Sequence, residues 1–237
     1  MMKFVFNEKS PKWRNIRDVR DWVKSFDSSS KDEKGHSALS LAEFCSRAKI
    51  EEEFNVMLKP VFQSENFILQ TAQPEKSSRF DNYSKQRIHD LAIYGQTDSG
   101  KSIFVGVEAK VDETYNSSLS KIYDKAKSEQ SNGKSTMIPQ RIEELIKNYF
   151  PGLSTHSSVR YQILYAIAGT LCEQCNFNIL LFLTFKTCKY KKAAARRNKK
   201  DLSDALNLIT HEVLSKGYYK CTFGDKILYI IDKTVIL

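Results

Sequence analysis

The chain contains 237 residues, of which 41% are hydrophobic and 27% are charged. This length matches one compact domain of roughly 100 to 250 residues, and the composition excludes a disordered or collagen-like chain. No apolar run approaches the length of a membrane-spanning helix, and the first residues lack a secretory signal pattern. The five cysteines have no framework spacing, so we expect reduced thiols in a cytoplasmic protein without a membrane partner.

The charge balance is compatible with an acidic partner. The chain has 37 Lys and Arg residues against 28 Asp and Glu residues, a formal net charge of +9 at pH 7. Such an excess attracts polyanions because binding releases their counterions, although many basic proteins bind no nucleic acid. The densest basic stretch lies between residues 189 and 200, and a solvated loop is the alternative interpretation of it. We expect nucleic acid to contact Lys189, Lys191, Lys192, Arg196, Arg197, Lys199 and Lys200.

The first third of the chain predicts helix followed by strand. Residues 13–35, which include Trp13, are polar and loop-like. From Ser37 the apolar residues recur at helical spacing until Pro60, which predicts a helical region with a bend near Glu51. A short strand is expected over residues 67–70 and a loop over residues 73–84.

Two strand-like segments joined by a turn follow. Residues 88–94 and 103–111 are apolar or alternating, and TDSG between them supplies turn residues, so we predict a β-hairpin. Because side chains alternate along a strand, Glu108 and Lys110 share a face. The hairpin brings Asp90 opposite Val107 or Glu108, where cross-strand neighbours lie about 5 Å apart. Two carboxylates this close repel each other, so a shared divalent cation is expected, with a solvated strand edge as the alternative.

The same hairpin also contains the pattern of a phosphate-binding loop. Gly95–Ser102 (GQTDSGKS) matches GxxxxGK[ST], and Ile227–Asp232 imitates the strand that accompanies such a loop. The loop needs a helix directly after the Lys-Ser pair, because free N–H groups at the helix start hold the phosphates. Residues 103–107 (IFVGV) are four strand formers and a Gly, which favours the hairpin.

The second half of the chain predicts helices, one buried strand and a terminal hairpin. Ser158 and Asp201 are good N-cap residues, and the run NILLFLTF is typical of a strand covered on both faces. The expected elements are helices over 119–126, 139–149 and 158–173, a strand over 178–185, a helix over 201–214 and a hairpin over 218–231. This order predicts an α/β or α+β fold with a mixed sheet.

Several short blocks resemble a known family. Asp90 followed by Glu108-Ala109-Lys110 resembles the PD-(D/E)XK nuclease superfamily. Val107–Glu113 (VEAKVDE) and the later Arg160-Tyr161-Gln162 are similar to blocks of an uncharacterised bacterial family within it, as is His36–Ala38 (HSA). One departure is His89, which stands where the superfamily often has Pro before the metal-binding Asp.

The resemblance implies a restriction-endonuclease-like αβββαβ core with a mixed sheet. It implies one nuclease-like domain over residues 1–237, with a core at about 37–187. A helical insertion at about 112–157 and a C-terminal helix and hairpin at 201–237 would complete that domain.

The resemblance also implies an activity. The expected function is hydrolysis of nucleic-acid phosphodiesters, with DNA as substrate and Mg²⁺ or Mn²⁺ as cofactor, as an endonuclease in defence or repair. Asp90, Glu108 and the carbonyl group of Ala109 would hold the metal, and Lys110 would orient water or neutralise developing charge. Further site residues by analogy are Glu43, Glu53, Arg160 and Gln162.

Two other function hypotheses stay open. A catalytically inactive nuclease-like module could bind nucleic acid or a protein, and a P-loop nucleotide hydrolase would use Lys101. Assembly as a homodimer is left open.

Overall fold

An eight-stranded mixed sheet forms the centre of the computed structural model, which describes residues 2–7, 16–25, 37–84 and 86–237. The strands are β1 (Lys3–Phe4), β2 (Phe67–Ser78), β3 (Arg87–Thr97), β4 (Ser102–Lys110), β5 (Phe177–Lys186), β6 (His211–Ser215), β7 (Tyr218–Phe223) and β8 (Lys226–Ile236). Their spatial order is β1-β2-β3-β4-β5-β8-β7-β6. Antiparallel pairs join β2, β3 and β4 and also β8, β7 and β6, whereas β4, β5 and β8 run parallel.

Helices cover both faces of this sheet. They are α1 (Val19–Ser25), α2 (Ser37–Cys45), α3 (Ile50–Phe62), α4 (Leu119–Ser131), α5 (Ile138–Tyr149), α6 (Tyr161–Leu171) and α7 (Lys192–Leu206). One hydrophobic core lies between the sheet and α1–α3, and a second lies between the sheet and α4–α7. The predicted α+β class with a mixed sheet is confirmed. No helix in the described ranges has the length and apolar character needed to cross a bilayer.

The central strand β5 contributes side chains to both hydrophobic cores. Leu181 and Leu183 point into the core under α1–α3, while Leu180 and Phe182 point into the core under α4–α7. Each fully buried side chain of this size contributes about 1.5–3 kcal/mol. The continuous apolar run therefore forms a strand covered on both faces, as predicted, and the structure places it between β4 and β8.

The predicted hairpin is present as β3 and β4. Its tight turn contains Gly100 at φ +80°, a backbone conformation that favours glycine. The strand register pairs Leu91 with Val107, so the next positions along, Asp90 and Glu108, adjoin at the end of the hairpin. β4 begins at Ser102, and the helix that a phosphate-binding loop requires is absent after Lys101.

The first third of the chain differs from the prediction in three ways. Helix α1 (Val19–Ser25) lies within the segment predicted to be loop-like, because Trp22 packs into the core. β2 continues to Ser78 instead of ending near residue 70, because β3 offers it backbone partners as far as Arg87. The helical region is two helices, and Pro60 lies inside the last turn of α3 instead of ending it. Pro60 leaves the carbonyl of Val56 without its helical donor, and this residue is exposed, so water can replace the bond. Trp13 and His36 lie outside the described residues.

The C-terminal third differs in where its helix lies. α7 begins at Lys192, well before Asp201, and ends at Leu206, while Leu214 belongs to strand β6. The basic segment is therefore helical from Lys192 onward and not a loop. It contains strong helix formers, and Ala194, Asn198 and Leu202 recur every four residues as its buried stripe. α6 is likewise shorter than predicted, since it spans Tyr161–Leu171.

Candidate functional site

Glu108 is the centre of a buried ionic group at the end of β4. Its side chain is 1% exposed, and its Oε1 accepts hydrogen bonds from Lys110 Nζ at 2.5 Å and Gln162 Nε2 at 2.5 Å. Its Oε2 accepts a hydrogen bond from Arg87 Nη2. β3, β4 and α6 each supply part of this group. We call Arg87, Glu108, Lys110 and Gln162 the Glu108 cluster.

The charges in the Glu108 cluster stabilise one another. Burial alone would raise the pKa of Glu108, but the neighbouring charges of Arg87 and Lys110 outweigh burial and lower it. Burial would lower the pKa of Lys110, but Glu108 and then Asp90 raise it above its ordinary value. Both groups are therefore charged at neutral pH, and the interpretation of Glu108 and Lys110 as a solvated strand edge is wrong.

Asp90 has a different electrostatic state. Its half-buried carboxylate accepts a hydrogen bond from the backbone N–H of Ala109 at 2.7 Å. Burial and then the negative charge of Glu108 raise the pKa of Asp90 to about 7, against the opposing effect of Lys110. Asp90 is thus the carboxylate of the pair that readily accepts a proton or a cation near neutral pH.

The backbone of β3 explains how Asp90 reaches Ala109. His89 contacts the ring of Phe104 on the α6 side of the sheet, with ring centroids 5.3 Å apart. Gly106 makes room for it, because a Cβ atom there would lie 2.6 Å from His89 Nδ1. Leu91, two residues later, belongs to the opposite core. Side-chain alternation therefore shifts at Asp90, whose carboxylate turns toward the β4 backbone.

The structure does not bring Glu43 or Glu53 to the Glu108 cluster. Both lie on helices that cover the opposite face of the sheet. Glu43 is exposed, and Glu53 forms an ion pair with Arg47 at 3.0 Å. The structure therefore does not group these two predicted carboxylates with Glu108, because Phe44 and Phe54 direct their helices to the α1–α3 core.

The two residues proposed near the start of α6 have separate positions. Gln162 contacts Glu108, as described above. Arg160 forms an ion pair with Asp201 of α7, with 2.9 Å between Nε and Oδ2, and its Nη1 donates to the carbonyl of Asn116 at 3.3 Å. Arg160 therefore connects α7 to the loop before α4 and does not contact Glu108.

Arg87 is a site residue that the sequence analysis missed. It is 6% exposed, and a Cβ atom on Gly169 of α6 would lie 2.5 Å from Arg87 Cγ, so glycine at that position leaves room for it. The signal available in the sequence was its spacing: Arg87 and His89 are two residues apart and lie on one face of β3. Its partnership with Glu108 depends on strand pairing.

The donor set fits Mg²⁺ better than a metal that needs an all-protein cage. In the parts of the chain that the structure describes, no three His, Cys, Asp or Glu side chains converge on one point. Mg²⁺ is commonly held by one or two carboxylates together with water and substrate phosphates. Asp90 and Glu108 are the two carboxylates that could serve in this way, although Glu108 would have to share its oxygens with the cationic side chains.

The chain belongs to the family described as a domain of unknown function, DUF6946, whose family model matches residues 15–231. No curated protein and no solved structure matched the chain. The match includes the Glu108 cluster, Asp90 and α7, so these features belong to the domain that defines the family.

Proposed function

We propose that this protein is a Mg²⁺-dependent nuclease of the PD-(D/E)XK type that hydrolyses phosphodiesters in DNA, in defence or repair. The observation that carries the proposal is the grouping of Asp90, Glu108 and Lys110 at the end of one hairpin. Glu108 and Lys110 are buried and directly bonded, and Asp90 is the neighbouring carboxylate with a raised pKa. Perturbed carboxylates beside a buried Lys are typical of sites that perform chemistry.

The order of elements supports the same proposal. α2 and α3 precede three antiparallel strands, β2, β3 and β4, and α6 precedes β5, which runs parallel to β4. This succession matches an αβββαβ core. α4 and α5 occur between β4 and α6, within the range expected for the helical insertion, and α7 with β6–β8 extends the sheet beyond the core.

The side chains have distinct roles in this proposal. Asp90, Glu108 and the carbonyl of Ala109 would hold Mg²⁺ or Mn²⁺, which when bound polarises the phosphodiester and lowers the pKa of a water ligand. Lys110, whose ammonium group lies 2.5 Å from Glu108, would neutralise negative charge that develops on the phosphate. Gln162 orients the Glu108 carboxylate through its amide.

A metal-titrated cleavage assay on plasmid DNA, single-stranded DNA and RNA tests the proposal. We expect cleavage that requires Mg²⁺ or Mn²⁺ and is abolished by Asp90→Ala. Asp98→Ala is the matched control, because Asp98 is an exposed Asp at the turn of the same hairpin. We expect Lys110→Ala to reduce turnover more than DNA binding. Cleavage at the native rate by the Asp90→Ala protein, with contaminating nucleases excluded, would contradict the proposal.

A catalytically inactive binding module is the second candidate function. The observation that favours it is that both oxygens of Glu108 already accept hydrogen bonds from Arg87, Lys110 and Gln162. Such a closed ion cluster can serve structure alone. In that case no cation would induce cleavage, and DNA affinity would be equal for the native protein and the Asp90→Ala variant.

A further inference from the structure

A small cavity opens between α7 and the ends of strands β5 and β8. Its volume is about 220 Å³, below the roughly 300–1,000 Å³ of sites that enclose a whole organic ligand. Four of its lining residues are basic: Lys186, Lys192, Arg196 and Lys199. We call this cavity the basic pocket. Its size suits a phosphate group better than a complete nucleotide.

α7 divides the basic segment into two sets. Lys192, Arg196 and Lys199 have i, i+4, i+7 spacing, so they share the helix face that lines the pocket. Lys191 and Lys200 instead bind carboxylates outside it, Asp112 at 3.0 Å and Asp204 at 2.5 Å. The pocket residues are therefore a defined subset of the charged segment.

The basic pocket has an excess of positive charge. Among the residues that the structure describes, none of its four cations forms an ion pair within 4.0 Å. Lys186 Nζ lies over the ring of Tyr190, 5.8 Å from its centroid. The lining includes one carboxylate, Asp232, whose pKa is raised by burial and lowered in part by Lys199. An anion entering the pocket would compensate charges that are otherwise unpaired.

The basic pocket adjoins the candidate site. Thr184 lines the pocket and pairs in strand register with Lys110. Tyr115 also lines the pocket, and Lys110 Nζ lies 5.5 Å from the centroid of its ring. One strand and one aromatic ring therefore separate the pocket from the Glu108 cluster. A polyanion that crosses the carboxyl ends of β4, β5 and β8 can contact the basic pocket and the partly exposed Asp90 beside the Glu108 cluster.

We infer that Lys192, Arg196, Lys199 and Lys186 bind one backbone phosphate of a nucleic-acid strand whose neighbouring phosphodiester lies at Asp90 and Glu108. This inference rests on the proposed function for the identity of the strand and adds the route by which it is held. Phosphate contacts of this kind fix the register of a strand without reading its sequence.

Two triple variants test the pocket at equal charge. The pocket triple is Lys192→Gln, Arg196→Gln and Lys199→Gln, and the control triple is Lys189→Gln, Arg197→Gln and Lys200→Gln. Each removes two Lys and one Arg from α7 or the residues just before it. Binding is measured by fluorescence anisotropy with short labelled duplex DNA, single-stranded DNA and RNA, in EDTA and at several salt concentrations. Circular dichroism melts verify that both proteins fold.

We expect the pocket triple to weaken binding about tenfold or more, and to reduce the slope of log affinity against log salt by about one per lost phosphate contact. The control triple should change affinity much less. A conservative triple, with Lys192→Arg, Arg196→Lys and Lys199→Arg, should retain native binding. Asp232→Asn should tighten binding because it removes the carboxylate from the lining.

Other outcomes overturn the inference. Equal weakening by the two triples would mean that the charge of α7 acts diffusely, and unchanged binding by the pocket triple would remove the pocket from the interface. Inorganic phosphate binding that is lost in the pocket triple, together with a DNA affinity that added phosphate leaves unaltered, would identify a pocket for the free anion. Binding is measured in EDTA, which prevents cleavage, so it is independent of catalysis. If the pocket binds DNA but the protein does not cleave DNA when metal is supplied, only the proposed function is rejected.

Discussion

Asp90 and Glu108 adjoin on paired strands, yet within the described part of the chain Glu108 alone of the two forms direct ion pairs with buried cations. Arg87 and Lys110 bind Glu108 directly, whereas the hydrogen-bond donor to Asp90 is the backbone N–H of Ala109. The pKa of Glu108 is consequently lowered and that of Asp90 is raised to about 7. Environments that separate the pKa values of two neighbouring carboxyl groups give them different chemical roles. Glu108 therefore stays ionised at neutral pH, whereas Asp90 gains or loses its proton near neutral pH.

Removal of the Glu108 carboxylate should destabilise the fold strongly. Glu108→Ala leaves Arg87 and Lys110 buried without a compensating charge, which costs about 3–5 kcal/mol in comparable pairs. The free energy of unfolding, measured by urea denaturation in EDTA, checks this. Glu43→Ala is the control, since Glu43 is exposed on the opposite face and should change stability by no more than about 0.5 kcal/mol. Similar losses in the two variants would contradict the buried ion cluster.

His89 should make the native state sensitive to acid. It is fully buried, and burial and then the charge of Arg87 lower its pKa to about 3. The unfolded chain takes up this proton near pH 6.5, whereas the native protein does not. Stability contributed by neutral His89 is therefore present above that pH and is lost as the pH falls toward 3.

The matched comparison for this effect is His89→Leu, which removes the titrating group from the same buried position. Unfolding free energies of both proteins are measured in urea from neutral to acidic pH, in EDTA. The native protein should lose stability relative to the variant as the pH falls below about 6.5. Parallel pH profiles would mean that His89 becomes protonated in the folded protein.

Lys101 should be dispensable for activity. It lies at the hairpin turn directly before β4, is half-exposed, and forms an ion pair with Glu65 at 3.3 Å. Exposed pairs of this type contribute little to stability. We expect Lys101→Ala to leave DNA cleavage and the unfolding midpoint nearly unchanged. We expect no difference between the variant and the native protein in binding of ATP or GTP. Loss of nucleotide-dependent activity in this variant would instead support the phosphate-binding loop.

Local sequence patterns were sufficient for the hairpin and its charged end. Alternation of apolar residues predicted β3 and β4, and alternation also put Glu108 and Lys110 on one face. The turn residues fixed the register closely enough to bring Asp90 beside Glu108. All these residues belong to one hairpin, so local periodicity and the turn were enough to predict how they lie.

The remainder depended on tertiary packing. Arg87 lies against Gly169 of α6, where a Cβ atom would lie 2.5 Å from its Cγ, so its contact with Glu108 depends on how α6 packs on the sheet. The sequence offered Glu53 as a site residue, but the packing of α3 places it on the other face of the sheet. β2 extends into polar residues because β3 supplies hydrogen bonds, a preference that the amino acids themselves do not encode.

Divalent cations should stabilise the native protein through Asp90. Burial and then repulsion from Glu108 raise the pKa of Asp90. A cation bound between the two carboxylates of the folded chain would relieve that repulsion and stabilise the native state. At a concentration about one hundred times the dissociation constant, such binding adds about 2.7 kcal/mol to the free energy of unfolding.

We expect Mg²⁺ or Mn²⁺ to raise the Tm of the native protein and of Asp98→Asn, but not of Asp90→Asn. The increase should be larger at pH 8 than at pH 6, because protons compete for Asp90 near its pKa of about 7. An equal increase in Asp90→Asn would show that the cation binds elsewhere and would remove Asp90 from the metal site.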